Sequence, residues 1–279
     1  MLPKRPRTSR PRAGVGGDAV SVDEVIGASL AYLIAPSRLT PSREAATVGA
    51  MTLAGQGVLA FWHDVAPGGD AEFDHWHLRE HIPERIAVPG FLRARRYVTL
   101  DAAPKYFYFY ETESLETLRS PAYLARLGDP TAWTRRTMPL VRNNKRTACR
   151  VVTSQGEGVG GVIATLQLGP RPGHEEELRS WLTGTALPGA AQRPGIVASH
   201  LLEGDAGVST AARSDEKKLL EKPDELVRWV ALIEGIDPAG PEAACRDLLG
   251  AEALARRGAS DDVALGVYRL QLVFGKSLD

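Results

Sequence analysis

The sequence predicts an α+β fold made of two copies of one βαββαβ unit that pack sheet to sheet as an intramolecular α/β barrel. The first observation is a repeat, since Trp76 recurs as Trp181 and Pro83 as Pro188, each 105 residues later. The second is that runs with strand periodicity and runs with helix periodicity follow one another in the same order in both halves. The third is length, because 279 residues provide two units of roughly 100 residues each.

These observations divide the chain into three regions. Residues 57–154 form the first repeat and residues 161–276 a second, degenerate repeat. Residues 1–50 are expected to be a disordered or poorly structured N-terminal tail, because residues 4–12 are basic and rich in proline. An alternative is that the native protein starts at Met51, just ahead of the first strand.

The elements of the first repeat follow from periodicity. An apolar run predicts a strand at 57–62, and apolar residues at helical spacing predict a helix over 70–87, with a kink or an early end at Pro83. The same reasoning predicts strands at 91–100, 105–110 and 146–154, a helix at 114–127 and a short helix within 131–141. Tyrosine and phenylalanine alternate over 105–110, which puts each type on its own face. This order is that of a ferredoxin-like unit.

The second repeat has the same order of elements. Strands are predicted at 161–168, 195–203, 227–235 and 263–274, and helices at 173–185 and 241–257. The offset between the repeats grows from 105 to 123 after the second strand, which indicates an insertion of 18 residues within 204–224. Its small, polar and charged residues predict a mobile surface loop, with a lid as the alternative.

The barrel follows from the faces of the two sheets. A ferredoxin-like unit leaves one face of its antiparallel sheet without helices, and an apolar face of this kind must be covered. A tandem copy supplies that cover within one chain. We therefore expect a closed barrel with the helices outside.

Composition excludes several classes of function. The net charge is zero, which gives no overall electrostatic attraction to nucleic acid or to an anionic membrane. No apolar run approaches the ~20 residues of a membrane span, and the two cysteines have neither disulfide nor metal spacing. We expect a cytoplasmic protein, monomeric or homodimeric, with a small-molecule substrate and no nucleic-acid or membrane partner.

Histidines distinguish the first repeat from the second. Four of them lie within nineteen positions, at His63, His75, His77 and His81, and the matching positions hold Leu168, Ser180, Leu182 and Ala186. On a helix, His77 and His81 share one face because they are four residues apart. Because none of these four histidines is kept at the matching position of the second repeat, we expect any chemistry to lie in the first repeat.

Three interpretations of this cluster compete. One imidazole could act as a general acid or base, because its ordinary pKa suits proton transfer at neutral pH. Alternatively, His77, His81 and His63 could bind a divalent metal or haem, although the spacing of a His-Glu-x-x-His site is absent. In the third interpretation the histidines are structural: they cap backbone carbonyls and pair with Glu80 or Glu84. We favour His81 as the proton-transfer group, His77 as its partner and His63 opposite them.

Three further residues are candidates for the site. Tyr108 could donate a hydrogen bond to a substrate oxygen, Trp62 could form the wall of an apolar pocket, and Arg95 could bind a carboxylate. Each has a structural alternative, in packing for the aromatic residues and in an exposed ion pair for the arginine.

The histidine motif supports a family resemblance. Phe73-x-x-Trp76-His77-x-x-x-His81-x-Pro83-Glu84-Arg85, followed by Pro89-Gly90-Phe91, resembles the helix and turn of the dimeric α/β-barrel superfamily, most closely its EthD-like branch, here as a tandem fusion. The resemblance covers 57–154, with 161–276 as a degenerate copy. It implies two ferredoxin-like units with paired sheets. It also implies an activity of the kinds found there, which include cofactor-free monooxygenases, isomerases, polyketide cyclases and haem enzymes.

Together these expectations favour a cofactor-independent enzyme of lyase, isomerase or monooxygenase type. Its substrate would be a small apolar or aromatic oxygenated compound, and a histidine would transfer the proton. The alternatives are a metal- or haem-dependent enzyme that uses the same histidines, and a protein that binds a small ligand without catalysis.

Overall fold

The computed structural model describes residues 52–100, 103–211 and 215–275. All the described residues belong to one compact unit. The predicted N-terminal tail, residues 1–50, lies outside the described residues.

A closed antiparallel barrel organises this part of the chain. Its eight strands are β1 (Gly57–Val65), β2 (Phe91–Thr99), β3 (Tyr106–Thr112), β4 (Val141–Gly156), β5 (Val162–Leu168), β6 (Ile196–Gly204), β7 (Trp229–Gly235) and β8 (Ala264–Gly275). Around the barrel the strands follow the order β1-β3-β2-β8-β5-β7-β6-β4. The α+β class is therefore confirmed. Each half contributes four neighbouring strands, and the pairs β2–β8 and β4–β6 close the barrel.

Helices cover the outside of the barrel. In the first half they are α1 (Asp70–Trp76), α2 (Ile82–Ala87), α3 (Pro121–Gly128) and α4 (Ala132–Thr137). In the second half they are α5 (Glu175–Trp181), α6 (Leu187–Ala191), α7 (Ala206–Ala211), α8 (Ala239–Leu248) and α9 (Ala251–Arg256). Short 3₁₀ turns lie at Leu115–Arg119, Met138–Leu140 and Lys217–Leu219. Within the described residues no helix is both long enough and apolar enough to cross a membrane.

Side chains fill the barrel rather than leaving a channel. The interior cluster includes Val58, Ala60, Trp62, Tyr97, Phe107, Phe109, Leu202, Val230, Leu232 and Tyr268. Trp62 stacks on Phe107 with ring centroids 4.9 Å apart and donates its indole N–H to Thr165 Oγ1 at 3.1 Å. The expected alternation on β3 is present, because phenylalanines point inward while Tyr108 and Tyr110 pack under the helices.

The helix predicted over residues 70–87 is present, but it contains a π turn. His77–His81 connects α1 to α2, and the N–H of Ile82 bonds to the carbonyl of His77, five residues earlier. A proline inside an α-helix lacks a donor and clashes with the preceding turn, so the wider turn just before Pro83 lets the helix continue to Ala87. The expected kink or early end at Pro83 is therefore replaced by this π turn.

The second half repeats this feature. Leu182–Ala186 forms a π turn between α5 and α6, and the N–H of Leu187 bonds to the carbonyl of Leu182 ahead of Pro188. The two π turns lie 105 residues apart, so this backbone feature is present in both halves, whereas His77 and His81 have no counterpart in the second. The turn itself is therefore a property of the scaffold.

The insertion (residues 204–224) is not the mobile surface loop that its composition predicts. Its described residues contain α7 and a 3₁₀ turn, and Val208 and Ser209 are buried. Glu216 is also buried and pairs with Arg85 of α2. Composition alone misses this packing because the partner charge lies about 130 residues away in sequence. The described residues of the insertion pack on the first half, and the alternative, a lid, stays a prediction.

Candidate active site

A cleft opens outside the barrel, between the strands of the first half and the elements that cover them. Side chains from β1, β3, β4, the helices and the insertion line it: Leu59, Phe61, Phe73, Trp76, His81, Arg85, Tyr108, Tyr110, Tyr123, Leu127, Met138, Val141, Asn144, Arg146, Glu216, Lys217, Leu220 and Asp224. The cavity between its walls is small, about 30 Å³, and the gaps between the lining atoms, counted out to open solvent, total about 540 Å³.

Aromatic rings form much of the cleft surface. Phe61 and Tyr108 stack with centroids 4.5 Å apart on the sheet side. On the helix side the indole of Trp76 lies 4.4 Å from the imidazole of His81. Flat, apolar walls of this kind favour a planar aromatic ligand.

Three of the four histidines lie together beside this cleft. His81 is one of its lining residues, and His77 stacks behind it with ring centroids 5.5 Å apart. The ring of Tyr108 contacts two of these histidines, with its centroid 4.6 Å from that of His77 and 5.5 Å from that of His63. His75 is exposed and packs on Trp133 instead. The structure therefore brings His63, His77, His81 and Tyr108 together, with His81 closest to the open space.

Burial keeps these imidazoles neutral. Loss of hydration lowers the pKa of His63 to about 4, although its Nδ1 lies 3.0 Å from the carbonyl oxygen of Asp64. The pKa values of His77 and His81 fall well below 6.5, first because of burial and then because of the positive charges of Arg96 and Arg85 respectively. At neutral pH each ring has one nitrogen free to accept a proton.

Unpartnered polar atoms concentrate around this site. Among the described residues, nine buried side-chain nitrogen or oxygen atoms have no hydrogen-bond partner, and all nine lie between residues 63 and 137. Three belong to residues that line the cleft: His81 Nδ1, Arg85 Nη1 and the hydroxyl of Tyr110. Native proteins leave few such groups unpaired. Their grouping here is typical of a site that pairs them with a bound molecule.

The carboxylates of this helix have other partners than the histidines. Glu80 Oε1 accepts hydrogen bonds from the indole of Trp76 at 3.1 Å and from the hydroxyls of Thr131 and Thr134 at 2.6 and 3.2 Å. Glu84 lies 3.9 Å from Arg126. Among the described residues neither carboxylate pairs with a histidine, as the structural interpretation would require, but His63 Nδ1 does contact the backbone carbonyl oxygen of Asp64, as that interpretation also expects.

The same residues do not fit a metal ion as they are placed. Among the described residues, no group of three histidine, cysteine, aspartate or glutamate side chains has an arrangement that could hold one. Both ring nitrogens of His77 are buried without a hydrogen-bond partner among the described residues, and the ring packs against Phe73, Tyr108 and the imidazole of His81.

Two predicted site residues lie elsewhere. Trp62 faces the barrel interior, on the opposite side of β1 from Phe61 and His63. Arg95 is also inside the barrel, where it donates to Glu111 and Glu234 at 2.7 Å each. Arg95 therefore binds carboxylates, but these are side chains of the protein itself. Neither residue lines the cleft.

Sequence reasoning gave no role to two cleft residues, Arg85 and Arg146. Arg85 lies four residues after His81, so helical spacing alone places it on the same face. Arg146 lies on β4, and its contacts come from α3 and the insertion. These partners are distant from Arg146 in sequence, so no local sequence pattern predicts the contacts.

The ionic cluster around Arg95 closes one end of the barrel. Glu234 accepts hydrogen bonds from His200 Nε2 at 3.0 Å and from the N–H of Gly160 at 2.8 Å, besides its pair with Arg95. Burial opposes ionisation of Glu234, but the hydrogen bond from His200 and the charge of Arg95 outweigh it and lower its pKa to about 2.

This depressed pKa predicts a loss of stability in acid. The unfolded chain protonates Glu234 near pH 4.5 while the folded chain does so only near 2, so stability present above pH 4.5 is lost as pH falls towards 2. Between about pH 6 and pH 2 the wild-type free energy of unfolding should fall by about 3 kcal/mol more than that of Glu234→Gln. Urea unfolding at each pH measures both. Parallel pH curves for the two proteins would contradict the assignment.

Comparison with known proteins identifies the fold. No protein-family model matches the chain, and no curated protein matches it. An anthrone oxidase-like protein of known structure has a TM-score of 0.54 and 14% identity, covering 78% of this chain and 92% of its own. A candidate monooxygenase from Lactobacillus acidophilus NCFM has a TM-score of 0.51 and 9% identity, covering 79% and 96%. Another from Fusobacterium nucleatum has 0.50 and 9%, covering 80% and 96%. At these identities the chain shares a fold with proteins of these kinds.

Proposed function

We propose that this protein is a cofactor-independent monooxygenase that acts on a small aromatic compound in the first-half cleft. The observation that carries the proposal is His81. Its ring is buried and neutral, its Nδ1 has no partner among the described residues, and it belongs to the lining of an aromatic cleft. A neutral imidazole at such a place is suited to remove a proton from a bound molecule.

In the proposed reaction, His81 accepts a proton from an acidic C–H of the substrate, which is bonded to aromatic carbon and conjugated through the ring with a carbonyl. The resulting carbanion is electron-rich enough to react with O₂ directly. A CH₂ group and O₂ then become a C=O group and water, so no external reductant is needed. Tyr108 would donate a hydrogen bond to the substrate oxygen, because burial raises its pKa far above 10 and keeps the hydroxyl protonated.

Two considerations favour oxidation over other reactions that begin with the same step. A lyase or isomerase would also start by proton abstraction, and the histidine geometry suits all three. The solved structures with this fold include proteins described as anthrone oxidase-like and as candidate monooxygenases. The histidine motif also resembles the EthD-like branch of the dimeric α/β-barrel superfamily, and we propose that branch for this chain.

Anthrone is a suitable first probe. We expect the purified protein to consume one O₂ for each anthrone converted to anthraquinone, faster than the uncatalysed reaction in the same buffer. For an enzyme that needs no cofactor, turnover should be unchanged after dialysis against EDTA, and the protein should show no visible absorption band. An oxygen electrode and the absorbance of anthraquinone provide the two measurements.

Other outcomes would select the alternatives. Loss of turnover with EDTA, or a haem-like absorption band, would favour the metal- or haem-dependent enzyme. Binding of anthrone without oxygen uptake would favour a ligand-binding protein without catalysis.

A further inference from the structure

Charged side chains cluster at the end of the cleft formed by α2, β4 and the insertion. Three are basic, Arg85, Arg146 and Lys217, and two are acidic, Glu216 and Asp224. With neutral histidines the lining therefore carries one excess positive charge. An uncharged aromatic substrate alone would leave that charge unused.

The acidic residues are each engaged with one basic partner. Glu216 forms an ion pair with Nη2 of Arg85. Asp224 lies 3.9 Å from Lys217 Nζ and accepts a hydrogen bond from Asn144 at 2.6 Å. The remaining cation is Arg146.

Arg146 is buried without an acidic partner. Its guanidinium lies over the ring of Phe61 and donates to the carbonyl of Ser209 at 3.2 Å and to the hydroxyl of Tyr123 at 3.4 Å. Within the described part of the chain, no carboxylate lies within ion-pair distance of it. Both of its hydrogen bonds are long and uncharged. Burial alone would lower the pKa of Arg146, but Tyr123, Asp224 and Glu216 nearby outweigh burial and raise it, so the two carboxylates balance the charge from a distance without pairing with it.

Arg85 provides a second donor to the same cleft. Its Nη2 is used by Glu216, but its Nη1 is buried and has no partner among the described residues. Two guanidinium groups with unused capacity thus border one cleft. Guanidinium groups match the planar, two-oxygen geometry of a carboxylate.

We propose that the substrate carries a carboxylate that binds Arg146 and the Nη1 of Arg85. Its aromatic part then lies on Phe61 and Tyr108, with the reacting carbon towards His81. This inference rests on the proposed function for the identity of the site, and it adds the substrate class, an aromatic acid. The charged end also sets the orientation of the molecule, because only one end of the cleft is basic.

Benzoate and benzamide provide a direct test, because they have nearly the same shape and differ in charge. By isothermal titration calorimetry at neutral pH, wild-type protein should bind benzoate at least about tenfold more tightly than benzamide. In Arg146→Gln the preference should fall to about twofold or less. Arg150→Gln is the matched control, because Arg150 lies on the same strand with a largely exposed side chain, and the variant should keep the wild-type preference.

Three results would overturn the proposal: equal affinities in wild type, no binding of either compound, or a preference that persists in Arg146→Gln. If Arg146→Gln does not fold, Arg146→Lys replaces it, since lysine keeps the charge but loses the forked donors. Benzoate should then bind several-fold more weakly than to wild type, and unchanged affinity would contradict the assignment. These experiments measure binding and not turnover. A negative result would therefore contradict the carboxylate proposal without contradicting the proposed oxidation of anthrone.

Discussion

Replacement of His81 with alanine is expected to lower kcat for anthrone oxidation by about 10²- to 10⁴-fold, the usual contribution of one positioned general base. The aromatic walls and the fold should remain, because Trp76 keeps its bonds to Glu80 and Thr134. Binding of anthrone, measured by equilibrium titration, should therefore change much less than turnover. Oxygen uptake at saturating anthrone gives kcat.

The control is His75→Ala on the same helix. His75 is exposed and outside the cleft, so its removal should leave kcat unchanged. The pH profile of the wild type offers a second readout. Because the pKa of His81 is well below 6.5, kcat/KM should stay flat from about pH 8 down to about pH 6. Equal losses in both variants, or a fall centred near pH 6.5, would show that His81 is not the buried base.

Replacement of Arg95 with methionine is expected to destabilise the protein by about 3–5 kcal/mol, the cost of removing one partner from a buried ion pair. Arg95, Glu111 and Glu234 are fully buried, so the substitution leaves two carboxylates inside the barrel without their shared cation. Urea unfolding followed by circular dichroism measures the change in the free energy of unfolding.

Arg150→Met is the matched control for this effect. Arg150 pairs with Glu203, but its side chain is 60% exposed, so its loss should cost less than about 1 kcal/mol. If Arg95→Met also costs less than about 1 kcal/mol and raises the KM for anthrone, Arg95 would instead be a substrate-binding residue.

Much of the fold follows from two periodicities in the sequence. The strands predicted from alternating or continuous apolar runs lie close to the observed ones, and Tyr106 to Tyr110 alternate between helix side and barrel interior as expected. The largest difference is β4, which starts at Val141 rather than 146. Its added residues are polar because they border the insertion, so their composition resembles that of a loop.

The π turns could not be predicted from hydrophobic spacing. One extra residue in a single turn changes the apolar pattern too little to detect. Pro83 and Pro188 were the available signal, and they were interpreted as a kink because a proline normally disrupts an α-helix. The backbone instead widens just before each of them.

The candidate site was predicted only in part. The lack of histidine at the four matching positions of the second half identified the region that holds His81. Trp62 could have been excluded from it, because adjacent strand residues face opposite sides and His63 already points to the helices. Phe61, by the same rule, belongs to the cleft. Arg146 could be identified only from the structure. An arginine in a predicted strand is expected to be exposed unless the elements that pack over it are known.

Closure of the barrel within one chain has a consequence for biosynthesis. The pairing of β2 with β8 joins Arg93 to Gly275, 182 residues later. During translation the first half therefore leaves the ribosome with β2 lacking its final neighbour until the last strand has been made. Open strand borders invite pairing with other chains, and contacts so distant form slowly. The nascent protein should be most vulnerable to aggregation during this interval, well before any ligand can bind.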